Sequence, residues 1–113
     1  MSDLLQVVTK TLSDLILTDI RIFDFRGFSP YFDYQIIASA SNERQVHAAI
    51  DHLAKSLPKD AIRRIEGASE NRWILFDLGE IIVHVMHQED RAYYKIEKLF
   101  FEREEIFLEG NKE

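Results

Sequence analysis

Apolar residues recur three and four positions apart in three long segments of the chain. This spacing places them on one face of an α-helix, and it predicts helices over residues 3–16, 42–57 and 89–101. Pro58 follows the end of the second helix, where a proline commonly stands. We expect each helix to bury its apolar side against a neighbouring layer.

Shorter runs rich in β-branched and aromatic residues lie between these helices and predict strands. The strands cover residues 20–25, 34–38, 61–66, 73–78 and 81–87. Gly79 lies between the last two, which therefore form a hairpin. Strands mixed with helices predict one α/β domain, with a mixed five-stranded sheet packed by helices. We place this domain at residues 1–101 and interpret residues 102–113 as a charged C-terminal tail.

Composition narrows the class of protein. Hydrophobic residues make up 46% of the chain, which excludes a disordered protein. The absence of cysteine excludes disulfides and thiolate sites. The chain shows no signal peptide and no apolar run near the roughly 20 residues that a membrane helix needs. We therefore expect a cytoplasmic protein without membrane contact.

Acidic residues outnumber basic ones by 20 to 14, which gives a formal net charge of −6. This balance argues against a protein that binds nucleic acid mainly through phosphates, because such binding requires a basic face. It suits a basic protein partner, since opposite charges speed encounter. Solubility of a small domain explains the same charge equally well.

The histidines do not predict a metal site. His47 and His52 are five apart on a helix, which is not the spacing of a helical metal pair. No cysteine or tight carboxylate cluster completes a ligand set, and we expect neither metal nor cofactor. His84 is interpreted as a hydrogen-bonded histidine within the hairpin.

Two acidic residues leave an enzymatic alternative open. Asp24 and Asp77 lie on different strands and could converge, as the metal-binding acids of nucleotidyltransferases do. The Gly-Ser entrance of such enzymes is missing before Asp24, and no Gly-rich phosphate loop is present. We therefore favour the interpretation that Asp24 ends a strand and Asp77 fixes the hairpin turn.

The last predicted helix is unusually aromatic. It carries two neighbouring stripes, Tyr93, Ile96, Phe100 and Tyr94, Lys98, Phe101. One stripe is enough to face a core, so the surplus must be covered by the tail, a twin subunit or a partner. Complete burial of the helix in the core is the alternative.

Trp73 leaves the same choice open. It shares one strand face with Leu75 and Asp77, and it is either a core residue or the anchor of a binding surface.

These residues also carry a family resemblance. Residues 73–79 (WILFDLG) and 82–86 (IVHVM) resemble the signature hairpin of the ribosomal silencing factor (Iojap) family. Arg91, Tyr94 and residues 97–99 follow in the register of that family. The resemblance extends over nearly the whole chain.

The chain departs from the family pattern at three positions. Ala40, Gln45 and Phe100 stand where glycine, histidine and tryptophan are common.

The resemblance implies a nucleotidyltransferase-like fold without the catalytic motif, and no enzymatic activity. It implies binding to the large ribosomal subunit through a basic ribosomal protein on the intersubunit face, with little direct nucleic-acid contact. Such binding blocks subunit joining and represses translation under nutrient limitation. Homodimers also occur in the family that the chain resembles, and the sequence leaves its oligomeric state open. The residues expected near the contact surface are Trp73, Asp77, Met86, Arg91, Tyr94 and Lys98.

Overall fold

Six strands form one mixed sheet in the order β3-β4-β5-β2-β1-β6. The computed structural model describes residues 3–100 and 102–107. The strands are β1 (Thr18–Asp24), β2 (Tyr34–Ala40), β3 (Arg64–Glu66), β4 (Trp73–Asp77), β5 (Ile81–His87) and β6 (Glu104–Ile106). The helices are α1 (Asp3–Asp14), α2 (Glu43–Ser56) and α3 (Gln88–Tyr94), followed by a 3-10 helix (Ile96–Phe100). Only β2 and β5 pair in parallel; the other pairings described are antiparallel.

The sheet has six strands, so the predicted count of five is wrong. The additional strand, β6, comes from the predicted tail and pairs with β1, with Ile106 opposite Ile22. Glu105 accepts two hydrogen bonds from the Arg21 guanidinium, at 2.8 and 3.0 Å. The partly buried side chain of Ile106, which packs against the core, and this ion pair attach the segment to the domain. Residues 108–113 of the predicted tail lie outside the described residues, and the boundary after residue 101 stays a prediction.

Helices α1 and α2 cover one face of the sheet. Their apolar stripes bury Leu5, Leu12, Val46 and Leu53 completely. Asn42 begins α2 by accepting a hydrogen bond from the backbone of Gln45. The strand residues buried in the same core are Ile22, Ile36, Ala38, Ile74, Phe76, Val83 and Val85. Within the described residues, no helix is long and apolar enough to cross a membrane.

The other face of the sheet is covered only in part. The 3-10 helix packs onto it and forms a second apolar cluster of Phe23, Phe25, Ile37, Met86, Ile96 and Phe100. The remainder of this face stays partly exposed, and we call it the open face. It comprises Gln35, Trp73, Leu75, Asp77 and Ile82, which the strand register places side by side.

The predicted continuous helix over residues 89–101 is wrong, because the chain breaks at Lys95. Lys95 adopts a left-handed conformation (φ 50°, ψ 49°), and its N–H bonds to the carbonyl of Arg91. The break redirects the chain, so Ile96 and Phe100 are buried in the second cluster while Tyr93 is 79% exposed. Tyr93 therefore shares no stripe with those two residues. Phe101, the last residue of the predicted helix, lies outside the described residues.

Candidate partner-binding surface

Aromatic side chains border the open face. Trp73 begins β4 and is partly exposed, and its ring lies 5.3 Å from that of Tyr94 between centroids. Tyr94 in turn packs edge-on against Tyr93 at 4.9 Å. We call these three residues the aromatic edge. Tyr94 is 54% exposed. Tryptophan and tyrosine are enriched among the hot spots of protein interfaces.

Trp73 is fixed by a hydrogen-bonded chain across three strands. Its indole N–H donates to His84 Nδ1 at 3.1 Å, and His84 Nε2 lies 2.8 Å from Gln35 Oε1. Burial lowers the pKa of His84 to about 4, so the imidazole is neutral at pH 7. The predicted hydrogen-bonded histidine within the hairpin is confirmed.

Asp77 lies at the end of β4, where it organises the hairpin turn. Its Oδ1 accepts a hydrogen bond from the N–H of Gly79 at 2.9 Å, and its Oδ2 lies 3.9 Å from Arg64 Nη2. Its side chain retains 26% exposure. The turn-fixing interpretation of Asp77 is therefore confirmed, while a role in partner binding stays a prediction.

Two of the six predicted contact residues are not on the surface. Met86 is fully buried, because it lies opposite Trp73 in the β4–β5 pairing and packs within the second apolar cluster. Arg91 is only 4% exposed. Neither side chain is therefore exposed for direct contact, and the expectation that both lie near the contact surface stays a prediction.

Arg91 connects α3 to the sheet. Its Nη1 donates to the carbonyl of Asp19 at 2.6 Å and to Ser39 Oγ at 2.9 Å. Its Nη2 lies 3.3 Å from the Asp19 carboxylate, and its Nε lies 3.7 Å from Glu97. Burial lowers the pKa of Arg91, which the two carboxylates oppose. The buried guanidinium and its partly exposed carboxylate partners hold the end of α3, and hence Tyr94, against the sheet.

Lys98 lies on the 3-10 helix and is exposed. It lines a cleft of about 630 Å³ together with Arg91, Lys95 and Glu97. Thr18, Asp19 and Arg21 of β1 line the same cleft, so Lys98 faces the β1 side of the sheet, and its role in partner binding stays a prediction.

The two acids of the enzymatic alternative do not converge. Asp24 is on β1 and Asp77 on β4, with β2 and β5 between them. Three interstrand spacings put them roughly 14 Å apart, too far for a shared metal ion. Asp24 instead accepts hydrogen bonds from Arg26, whose guanidinium holds the pKa of Asp24 below its usual value. In residues 3–100 and 102–107, no group of three or more potential ligands could hold a metal ion.

His84 and Gln35 were absent from the predicted site. The register of the hairpin could have indicated His84: with Gly79 in the turn, Leu75 lies opposite His84, so His84 shares a face with Trp73. Gln35 lies on β2, and its approach depends on the parallel β2–β5 pairing, which no local pattern specifies.

Similarity to known proteins agrees with this architecture. The family described as "Ribosomal silencing factor during starvation" matches residues 1–113. The Ribosomal silencing factor RsfS of Halalkalibacterium halodurans is 34% identical over 110 residues, covering 96% of this chain and 94% of that protein. A Mus musculus protein named "Mitochondrial assembly of ribosomal large subunit protein 1" is 33% identical over 75 residues, covering 62% of this chain and 33% of that protein.

A solved structure shares both sequence and fold. A Bacillus halodurans protein known from a crystal structure superposes with a TM-score of 0.80 at 33% identity, covering 94% of this chain and 98% of that chain. With a family match over the whole sequence and this structural agreement, the chain belongs to the ribosomal silencing factor family.

Proposed function

We propose that this protein binds the large ribosomal subunit through a basic ribosomal protein on the intersubunit face. Bound there, it blocks joining of the small subunit and represses translation when nutrients are limiting. It acts in the cytoplasm, without enzymatic activity. Membership of the silencing factor family supports this proposal, as does similarity to a mouse protein named for assembly of the large subunit.

The exposed aromatic edge is the observation that carries the location of binding. Tyr93 and Tyr94 are 79% and 54% exposed, and Trp73 lies partly exposed beside them. Covering the apolar surface of these rings with a partner stabilises the complex by roughly 25 cal/mol for each Å² removed from water. Covering this edge therefore contributes favourably to docking.

Charge favours a protein partner over ribosomal RNA. The net charge of −6 attracts a basic protein and repels phosphates at long range. Lys98 and the exposed part of Asp77 provide polar contacts at the rim, where charges contribute more to orientation than to affinity.

Silencing then follows from occlusion. A protein that occupies the shared face removes large subunits from the joining equilibrium by mass action. The degree of inhibition depends on its concentration relative to the dissociation constant, and no chemical step is required.

The binding step is tested by co-sedimentation with purified large subunits at low magnesium, which keeps subunits apart. The wild-type protein is expected to travel with them. Trp73→Ala should weaken binding about thirtyfold or more if Trp73 is a hot spot. A thermal melt of the same variant establishes that it is folded.

Tyr31→Ala is the matched control. Tyr31 is 84% exposed and lies in the loop between β1 and β2, at the end of the sheet away from Trp73. It should bind as the wild type does. A wild-type protein that stays at the top of the gradient, or equal losses in both variants, contradicts the proposal.

A further inference from the structure

The indole N–H of Trp73 is already used inside the protein. It donates to His84 Nδ1 at 3.1 Å, and His84 is only 6% exposed. Tryptophan can only donate through this atom, so Nδ1 must be the acceptor and the imidazole proton must be on Nε2. That proton meets the side-chain oxygen of Gln35 at 2.8 Å. The three residues form a chain with one consistent direction of donation.

Two neighbouring rings also pack against the ring of Trp73. The His84 ring lies 6.0 Å from it between centroids, and the Tyr94 ring lies 5.3 Å away on α3. The hydrogen bond and these contacts leave the indole few alternative rotamers. A side chain fixed before binding loses little conformational entropy when it docks.

We propose that His84, oriented by Gln35, is a positioning residue for partner docking: it fixes the indole of Trp73 and occupies its N–H. Trp73 therefore offers the partner an apolar ring edge and no hydrogen bond. The partner surface that fits it is an apolar recess without an acceptor. This inference rests on the proposed function, since it concerns the same surface.

The chain itself provides a spectroscopic test, because Trp73 is its only tryptophan. A ¹⁵N-labelled sample has one indole N–H signal. In the wild type, this signal should be sharp and exchange slowly with water. In His84→Leu, which removes the acceptor at similar volume, it should shift and exchange quickly. His84→Asn places an oxygen near the position of Nδ1 and should restore much of the protection.

Binding to purified large subunits is measured with the same three proteins. His84→Leu should bind about tenfold more weakly, because an unfixed indole must be ordered on docking. His84→Asn should recover most of this loss. If His84 had a purely structural role, both variants would lose thermal stability. Their affinities for large subunits would then show no correlation with the protection of the indole N–H.

The outcomes distinguish failure of the positioning role of His84 from failure of ribosome binding. If His84→Leu loses indole protection but binds normally, the positioning role is overturned and the proposed function stands. If the wild-type indole exchanges as fast as free tryptophan, positioning is overturned whatever the variants do. If the wild type does not bind large subunits, the proposed function fails and the docking role of His84 fails with it. Slow wild-type exchange would in that case still verify the hydrogen bond.

Discussion

At the scale of single residues, the open face depends on a neutral histidine in a place where water is excluded. The imidazole of His84 receives one hydrogen bond from Trp73 and lies within hydrogen-bonding distance of Gln35. A charged imidazolium could not accept from the indole, since both ring nitrogens then carry protons. The side chain that fixes Trp73 therefore also makes the fold sensitive to acid.

This sensitivity has a defined direction. The pKa of His84 is about 4 in the folded protein, against a usual value of 6.5. Above pH 6.5 the histidine is neutral in both states, and its contribution to stability is complete. As the pH falls from 6.5 to 4, only the unfolded chain binds the proton, and roughly 3 kcal/mol of stability is lost. Urea unfolding at pH 7 and pH 4.5 measures most of this loss.

His84→Asn is the control for that experiment, because it removes the titrating group. Its stability should change less over the same interval. Asp24, whose pKa is lowered by Arg26, affects stability only below its usual value of 3.8 and leaves the interval undisturbed. Equal pH dependence in both proteins would contradict the assignment to His84.

At the scale of elements, patterns of short range predicted most of the fold. The strand Ile81–His87 has the predicted bounds. The helix Glu43–Ser56 begins and ends within one residue of the helix predicted over residues 42–57. The break at Lys95 was not predictable, because no glycine or proline marks it. Tertiary burial of Ile96 and Phe100 outweighs the local cost of a left-handed lysine. The short strand Glu104–Ile106 depends on a partner far along the chain, which no local period reveals.

The turn before β4 depends on Gly67, and it can be tested against a second glycine. Gly67 (φ 88°) and Gly27 (φ 79°) both have left-handed backbones. A Cβ at Gly67 would lie 2.1 Å from the carbonyl oxygen of Trp73, whereas a Cβ at Gly27 meets nothing within 4 Å. Gly27→Ala should cost about 1 kcal/mol, and Gly67→Ala at least about 3 kcal/mol, because β4 must also shift.

Denaturant unfolding of both glycine variants measures the difference. It also indicates whether Trp73 moves, since tryptophan fluorescence reports on that residue alone. Equal losses of stability in the two variants would mean that backbone conformation, and not the contact with Trp73, determines the cost at Gly67.

At the scale of the whole molecule, one face of the sheet carries the main hydrophobic core and the other carries the proposed binding surface. Helices α1 and α2 cover one face with the larger core, which provides stability. On the other face, a short helix and the 3-10 helix cover only part, and the aromatic edge remains at the boundary of that cover. The sequence predicted a surplus of aromatic residues in this region. It did not separate the buried Met86 and Arg91 from the exposed Tyr94, because burial depends on how α3 meets the sheet.

The most direct test of silencing is the rate of subunit joining, followed by light scattering after magnesium is raised. Large subunits incubated with wild-type protein should join small subunits more slowly, in proportion to the fraction bound. Tyr94→Ala should need about tenfold or more protein for equal inhibition, since it removes an exposed ring of the aromatic edge. Joining at the uninhibited rate on large subunits saturated with wild-type protein would contradict the account.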